Sequence, residues 1–150
     1  MIEFFLKLIF SKSLNKLGKP NLIIGSSPNP ISALAGALLS LKYRVPFVFE
    51  VRDLWPETLL QMGVLHKKGL FYIILNLIEG ILLKISSKVI VLFEGVSEYY
   101  ISKGLSSKKI IYIPNGIDMQ YKPYRNINNK SDSQPFELYY LGSLGKANAV

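Results

Sequence analysis

The chain contains no cysteine, which excludes disulfides and thiolate metal sites and leaves a cytosolic location unremarkable. Its single histidine, His66, stands beside Lys67 and Lys68 in what reads as a polar loop between helices. No Gly-x-Ser-x-Gly elbow is present to build a Ser-His-Asp relay around it, so His66 is read as structural. The only aspartates are Asp53, Asp118 and Asp132, with no Asp-x-Asp, so a diphosphate site of carboxylates bridged by Mg²⁺ or Mn²⁺ has no support. Arginine is scarce too, three residues against fifteen lysines. Lysines are point charges, whereas readers of bases and phosphates lean on planar arginine forks. Because the lysines are scattered, the net charge of +8 reads as a general attraction to anions, an anionic lipid or a nucleotide diphosphate, and not as nucleic-acid recognition.

The 150 residues, 49% hydrophobic, suffice for one domain with a real core. Residues 1–17 are too broken for a secretion signal: Glu3 sits where basic residues belong, Lys7 interrupts the apolar run, and no small-x-small site precedes Pro20. Glu3 and Lys7 instead form an i, i+4 pair on a helix ending near Gly18 and Pro20. A start that opens directly on a helix of buried type hints at missing earlier sequence.

Strand and helix patterns then alternate. Strands are expected at residues 21–26, Phe47–Val51, 88–93 and 109–113. Between them lie a small-residue helix at 31–42, helical sequence from Pro56 to about residue 86, and a helix at 94–103 closed by Gly104. This order predicts an α/β fold, a Rossmann-like parallel sheet with flanking helices. The first strand lacks phosphate-binding glycines, so a dinucleotide fingerprint is absent. Residues 119–135 are polar and aperiodic, a linker. A new strand is expected at 136–141, after which the chain soon stops. The expected division is therefore a partial first domain at 1–118, a linker at 119–135 and the start of a truncated second domain at 136–150.

Leu70–Ile85 is apolar over sixteen positions, short of the roughly 20 needed to span a bilayer, and Glu79 would cost about 2.5–3.5 kcal/mol in lipid. Asn76, Gly80 and Lys84, with Glu79 beside them, suggest one narrow polar stripe on a mostly buried helix that covers a sheet or joins domains. Membrane-surface contact is the second reading.

Three segments carry candidate chemistry. Arg52-Asp53-Leu54-Trp55-Pro56 directly follows the second strand, at the sheet edge where open α/β folds bind ligands. The plainer reading is an Arg52–Asp53 ion pair at a loop corner with Trp55 in the core. Gly142-Ser143-Leu144-Gly145-Lys146 follows the strand at 136–141, and exposed amides with a lysine bind diphosphate oxygens without metal. Pro114-Asn115-Gly116-Ile117-Asp118 suits either a simple turn or a hinge.

Taken in order, residues 20–28, the run Val51-Arg52-Asp53-Leu54-Trp55-Pro56-Glu57, the run Ile113-Pro114-Asn115-Gly116-Ile117-Asp118 and residues 139–145 resemble the family-four type of GT-B glycosyltransferases, closest to the subgroup that builds bacterial surface polysaccharides. The resemblance runs in register over about positions 20–145. It implies two Rossmann-like domains with the active site between them, no metal and no other cofactor, and retention at the anomeric carbon. The chain would hold most of the N-terminal acceptor-side domain, the hinge and the first strand of the donor domain. The family's first strand with its glycine-rich loop would precede Met1, and its Glu-x₇-Glu donor motif would follow Val150, so the 150 residues alone are expected to be inactive.

By the same resemblance Asp53 acts on the acceptor hydroxyl as base or orienter, and Arg52 holds Asp53 ionised or offers charge to a phosphate. Ser26, Ser27 and Trp55 contact substrate, with the core as the other place for Trp55. Asn115, Gly116 and Asp118 form the hinge wall, and Gly142, Gly145 and Lys146 meet the donor diphosphate. The expected partners are a nucleotide sugar, a glycan or polyprenol-linked acceptor and an anionic membrane surface. The expected location is cytoplasmic, peripheral on the inner face of the cytoplasmic membrane. A sugar-nucleotide epimerase of the same fold, and a non-catalytic remnant binding membrane or a partner subunit, remain as alternatives.

Overall fold

A computed structural model describes residues 2–11, 14, 16, 18–27, 30–120, 139 and 141. The chain divides into two compact units, Met1–Pro114 and Asn115–Val150. In the first unit the order is α1 (Ile2–Ile9), β1 (Ile23–Ser27), α2 (Pro30–Tyr43), β2 (Phe47–Val51), α3 (Glu57–Gln61), α4 (Leu70–Ile85), β3 (Lys88–Val91), α5 (Glu94–Ser102) and β4 (Ile110–Tyr112). In the second unit residues 115–120 are exposed and form neither helix nor strand. The linker expected at 119–135 and the strand expected at 136–141 lie outside the described residues, apart from 119, 120, 139 and 141, and those four belong to no helix or strand.

The sheet is parallel throughout, with strands in chain order β1-β2-β3-β4 and Ser27, at the end of β1, level with Val51 at the end of β2. Right-handed crossovers repeated in one direction put α2, α4 and α5 on the same face. Accordingly α2 packs on α4, and α4 is hydrogen-bonded to α5. The core lies between that face and the helices: Phe47, Phe49, Val51, Val89 and Val91 from the strands meet Ala33, Ala37, Leu82 and Tyr100. The architecture is the expected Rossmann-like α/β layer. Small residues let α2 approach closely, and Gly25 of β1 is part of that fit, since a Cβ there would lie 2.7 Å from the Phe47 ring and 3.0 Å from the Ala33 carbonyl oxygen.

Two helix ends close in the same way. Leu105 N–H donates to Tyr100 O and Gly104 N–H to Ile101 O, with Gly104 at φ +91°, the left-handed closure expected for α5. At the end of α2 the equivalent bonds run from Val45 to Ser40 and from Arg44 to Leu41, but the left-handed residue, at φ 53°, is Arg44.

The helical stretch after Pro56 divides into α3 and α4 about the expected polar loop at His66, the chain turning through residues 62–69 with Gly63 at φ +70°. One expectation needs correction: α4 is not mostly buried. Leu75, Glu79 and Leu82 face inward, while Leu70, Phe71, Ile73, Ile74, Leu77 and Ile81 are exposed. Glu79 therefore does not belong to the outward stripe of Asn76, Gly80 and Lys84; it turns inward beside it, 4% exposed, where Tyr100 Oη donates to it at 2.8 Å and Lys103 Nζ at 3.5 Å. A buried carboxylate has to find such partners, and α5 supplies both. Even so, burial raises the Glu79 pKa above the ordinary carboxylate range, against the opposing pull of Tyr100 and Lys103. The expected Glu3–Lys7 pair on α1 is formed at 2.6 Å.

Candidate functional site

The buried β2 run ends at Val51, and the chain then leaves the sheet through Arg52 and Asp53, whose side chains are both exposed at its carboxyl edge. The loop is fastened to the neighbouring strand by one hydroxyl. Ser27 Oγ accepts from Arg52 N–H at 3.0 Å and from Asp53 N–H at 3.4 Å, and donates to Asp53 O at 3.3 Å. A serine hydroxyl has one proton and two lone pairs, so this group is fully committed. Asp53 O also accepts from Trp55 N–H at 3.0 Å, which tightens the turn into the buried Pro56 and α3. The backbone on both sides of the two charged side chains is thus fixed, while the side chains themselves point outward. Among the described residues no ion pair involves Arg52 or Asp53, so the plain ion-pair reading does not hold. Trp55 is half-buried.

Of the expected site residues the fold brings together Ser26, Ser27, Arg52, Asp53 and Trp55. Ser27 is 2% exposed and serves the loop, whereas the half-buried Ser26 donates to Ser27 O at 3.4 Å. Ser26 also lines a largely apolar cavity of about 440 Å³, walled by Phe4, Leu8, Ile23, Leu39 and Tyr43, with the buried Tyr43 hydroxyl unpartnered among the described residues. Asn115, Gly116 and Asp118 belong to the second unit; there Asp118 Oδ1 accepts from Gln120 N–H at 2.8 Å, a side-chain-closed turn. Gly142, Gly145 and Lys146 lie outside the described residues.

Sequence reasoning passed over Phe93 and Glu94, which are exposed just beyond the end of β3 at the same carboxyl edge as Asp53. Parallel pairing alone placed them there, and the end of the third strand was the available signal. A second hollow, of about 400 Å³, gathers Lys84, Lys103 and Lys109. Two of these are already engaged: Lys109 Nζ donates to Leu83 O and Lys84 O at 3.1 Å, and Lys103 pairs with Glu79. His66 is exposed in the loop between α3 and α4, where its carbonyl accepts from Gly69 N–H.

Among the described residues no helix is long and apolar enough to cross a membrane. A comparison with curated proteins returns no match. The family model of Glycosyltransferase Family 4, in contrast, matches residues 3–121, a span that takes in the whole described sheet and the Arg52–Asp53 loop. With most of its length inside that match, the chain belongs to Glycosyltransferase Family 4.

Proposed function

We propose that this chain provides the acceptor side of an enzyme that moves a sugar from a nucleotide-diphosphate donor to a glycan or lipid-linked acceptor in bacterial surface-polysaccharide biosynthesis. A glycosyltransferase-type function follows from the family; the donor, the acceptor and the pathway are the proposal. The observation that carries it is the Arg52–Asp53 loop, held by Ser27 with both charged side chains free at the carboxyl edge of the sheet.

Asp53 takes or orients the proton of the acceptor hydroxyl, and Arg52 supplies positive charge beside it. The leaving diphosphate is stabilised by backbone amides and a lysine in place of a metal, the role given to Gly142, Gly145 and Lys146, and the anomeric configuration is retained. Asn115, Gly116 and Asp118 line the hinge, and Ser26 and Trp55 flank the acceptor. The enzyme works at the cytoplasmic face of the membrane, where a polyprenol-linked acceptor is presented.

The test is sugar transfer from radiolabelled nucleotide-diphosphate sugars to membrane acceptors, using the protein as the source cells make it. Asp53→Asn is expected to lower transfer by at least about a hundredfold with donor affinity near normal. Full turnover in that variant would remove Asp53 from the reaction. A product epimerised without any acceptor would favour the epimerase reading.

A further inference from the structure

Helix α4 faces two ways. Its inner side carries the buried Leu75 and Leu82, of which Leu82 packs in the core against the sheet, with Glu79 turned in towards α5. Its outer side carries Leu70 at 73% exposure, Ile73 at 52%, Ile74 at 43%, Leu77 at 62% and Ile81 at 40%. At 3.6 residues per turn these five positions fall within an arc of about 100° and run along about 16 Å of helix. Water is a poor neighbour for such a stripe, and isolated exposed aliphatics would not line up.

The charges around the stripe have one sign. Lys67 and Lys68 are exposed just before the helix, and Lys84 is exposed in its last turn on the outer side. The helix's only carboxylate, Glu79, is buried among Tyr100 and Lys103. An apolar stripe with lysines at both ends and no outward carboxylate suits a helix lying flat in the headgroup layer of an anionic bilayer, its lysine stems reaching back to the phosphates. The stripe offers roughly 500 Å² of surface, well below the 800 Å² or so that each partner gives to a stable dimer.

We propose that the outer face of α4, Leu70, Ile73, Ile74, Leu77 and Ile81 with Lys67, Lys68 and Lys84, is a docking surface for an anionic membrane. This gives the peripheral location proposed above a specific surface and rests on that reading for the kind of partner. Vesicle binding needs neither donor nor acceptor, so failure of docking and failure of transfer are separately visible.

The test is flotation of the full chain with phosphatidylcholine vesicles, with and without about 30% phosphatidylglycerol. The protein is expected to float with the anionic vesicles and at least about tenfold less with the neutral ones. Ile73→Glu/Leu77→Glu should cut binding to anionic vesicles by at least about tenfold with unchanged circular dichroism. Lys67→Ala/Lys68→Ala/Lys84→Ala, which leaves the apolar stripe intact, should do the same and gives the answer if the glutamate variant misfolds. Failure of the unaltered protein to float with anionic vesicles overturns the proposal, as does binding that both variants leave unchanged. A dimer in sedimentation that Ile73→Glu/Leu77→Glu splits, without vesicle binding, overturns it in favour of an interface between two copies.

Discussion

The hydroxyl of Ser27 accepts the backbone N–H of Arg52 at 3.0 Å, although the two residues stand 25 apart in the chain. Through that bond and its two companions to Asp53, the end of one strand fixes the exit angle of the next. The loop's charged side chains inherit their position from a buried group on a neighbouring strand.

Removing that group is the first test of the arrangement. Ser27→Ala would leave the Arg52 and Asp53 N–H groups to find other partners, while Asp53 O keeps its bond from Trp55 N–H, and is expected to lower stability by about 1–3 kcal/mol. Urea unfolding measures this, and a loss under a few tenths would mean that water replaces the hydroxyl without cost. If the loop positions Asp53 for transfer, the same variant lowers kcat more than it raises KM.

Gly25→Ala tests the fit of β1 against α2. The new Cβ would meet the Phe47 ring at 2.7 Å and the Ala33 carbonyl oxygen at 3.0 Å, both in the core. A loss of about 1–3 kcal/mol is expected in thermal or urea unfolding. Gly36→Ala, on the facing helix, meets nothing closer than 3.5 Å and gains helix propensity, so it should be neutral or stabilising. Equal losses at the two sites would contradict this account of the packing.

Arg44 occupies a left-handed position that glycine adopts without penalty. Arg44→Gly removes that strain, while the unfolded chain gains entropy and offsets part of the gain. The net expectation is a rise in stability of about 0.5–1 kcal/mol, read from the midpoint of denaturation.

The buried Glu79 gives the fold a pH dependence of predictable sign. Burial raises its pKa in the folded state; Tyr100 and Lys103 pull the other way, and the more distant Glu57 adds to the rise. As pH climbs, the unfolded chain releases this proton first, so the folded state holds a proton that the unfolded state has lost. The stability contributed by this group is full below the unfolded pKa and is lost as pH rises through the folded one. Glu79→Gln keeps an acceptor for Tyr100 and cannot ionise. Measured between about pH 4 and about pH 8, the wild type should therefore lose stability relative to this variant as pH rises. A difference that stays flat across the range would contradict the burial of an ionisable group there.

Much of this fold was legible because buried parallel strands are written as uninterrupted apolar runs. Phe47–Val51 comes close to such a run, broken only by Glu50, and the small residues of α2 announced a helix lying close on the sheet. The loop after β2 was legible as a candidate site from its place at a strand end. What could not be read were the choices made by distant partners. Glu79 looks like one more polar residue beside Asn76 and Gly80 until Tyr100, 21 positions later, draws it inward. The outward apolar side of α4 was hidden for the same reason, since a helix that is apolar nearly all round does not say which side meets the sheet. Ser27 was legible as a polar group near the site, but not as the clamp on the backbone of Arg52.

The strand order β1-β2-β3-β4 has a consequence for how the sheet is made. Each strand pairs with the one before it, and among the described residues none is inserted between two already in place. A chain leaving the ribosome can therefore add one strand-helix-strand unit at a time, each pairing onto the strand made just before it. The entropic cost of assembling these four strands comes in instalments, and none of them has to wait for a later one.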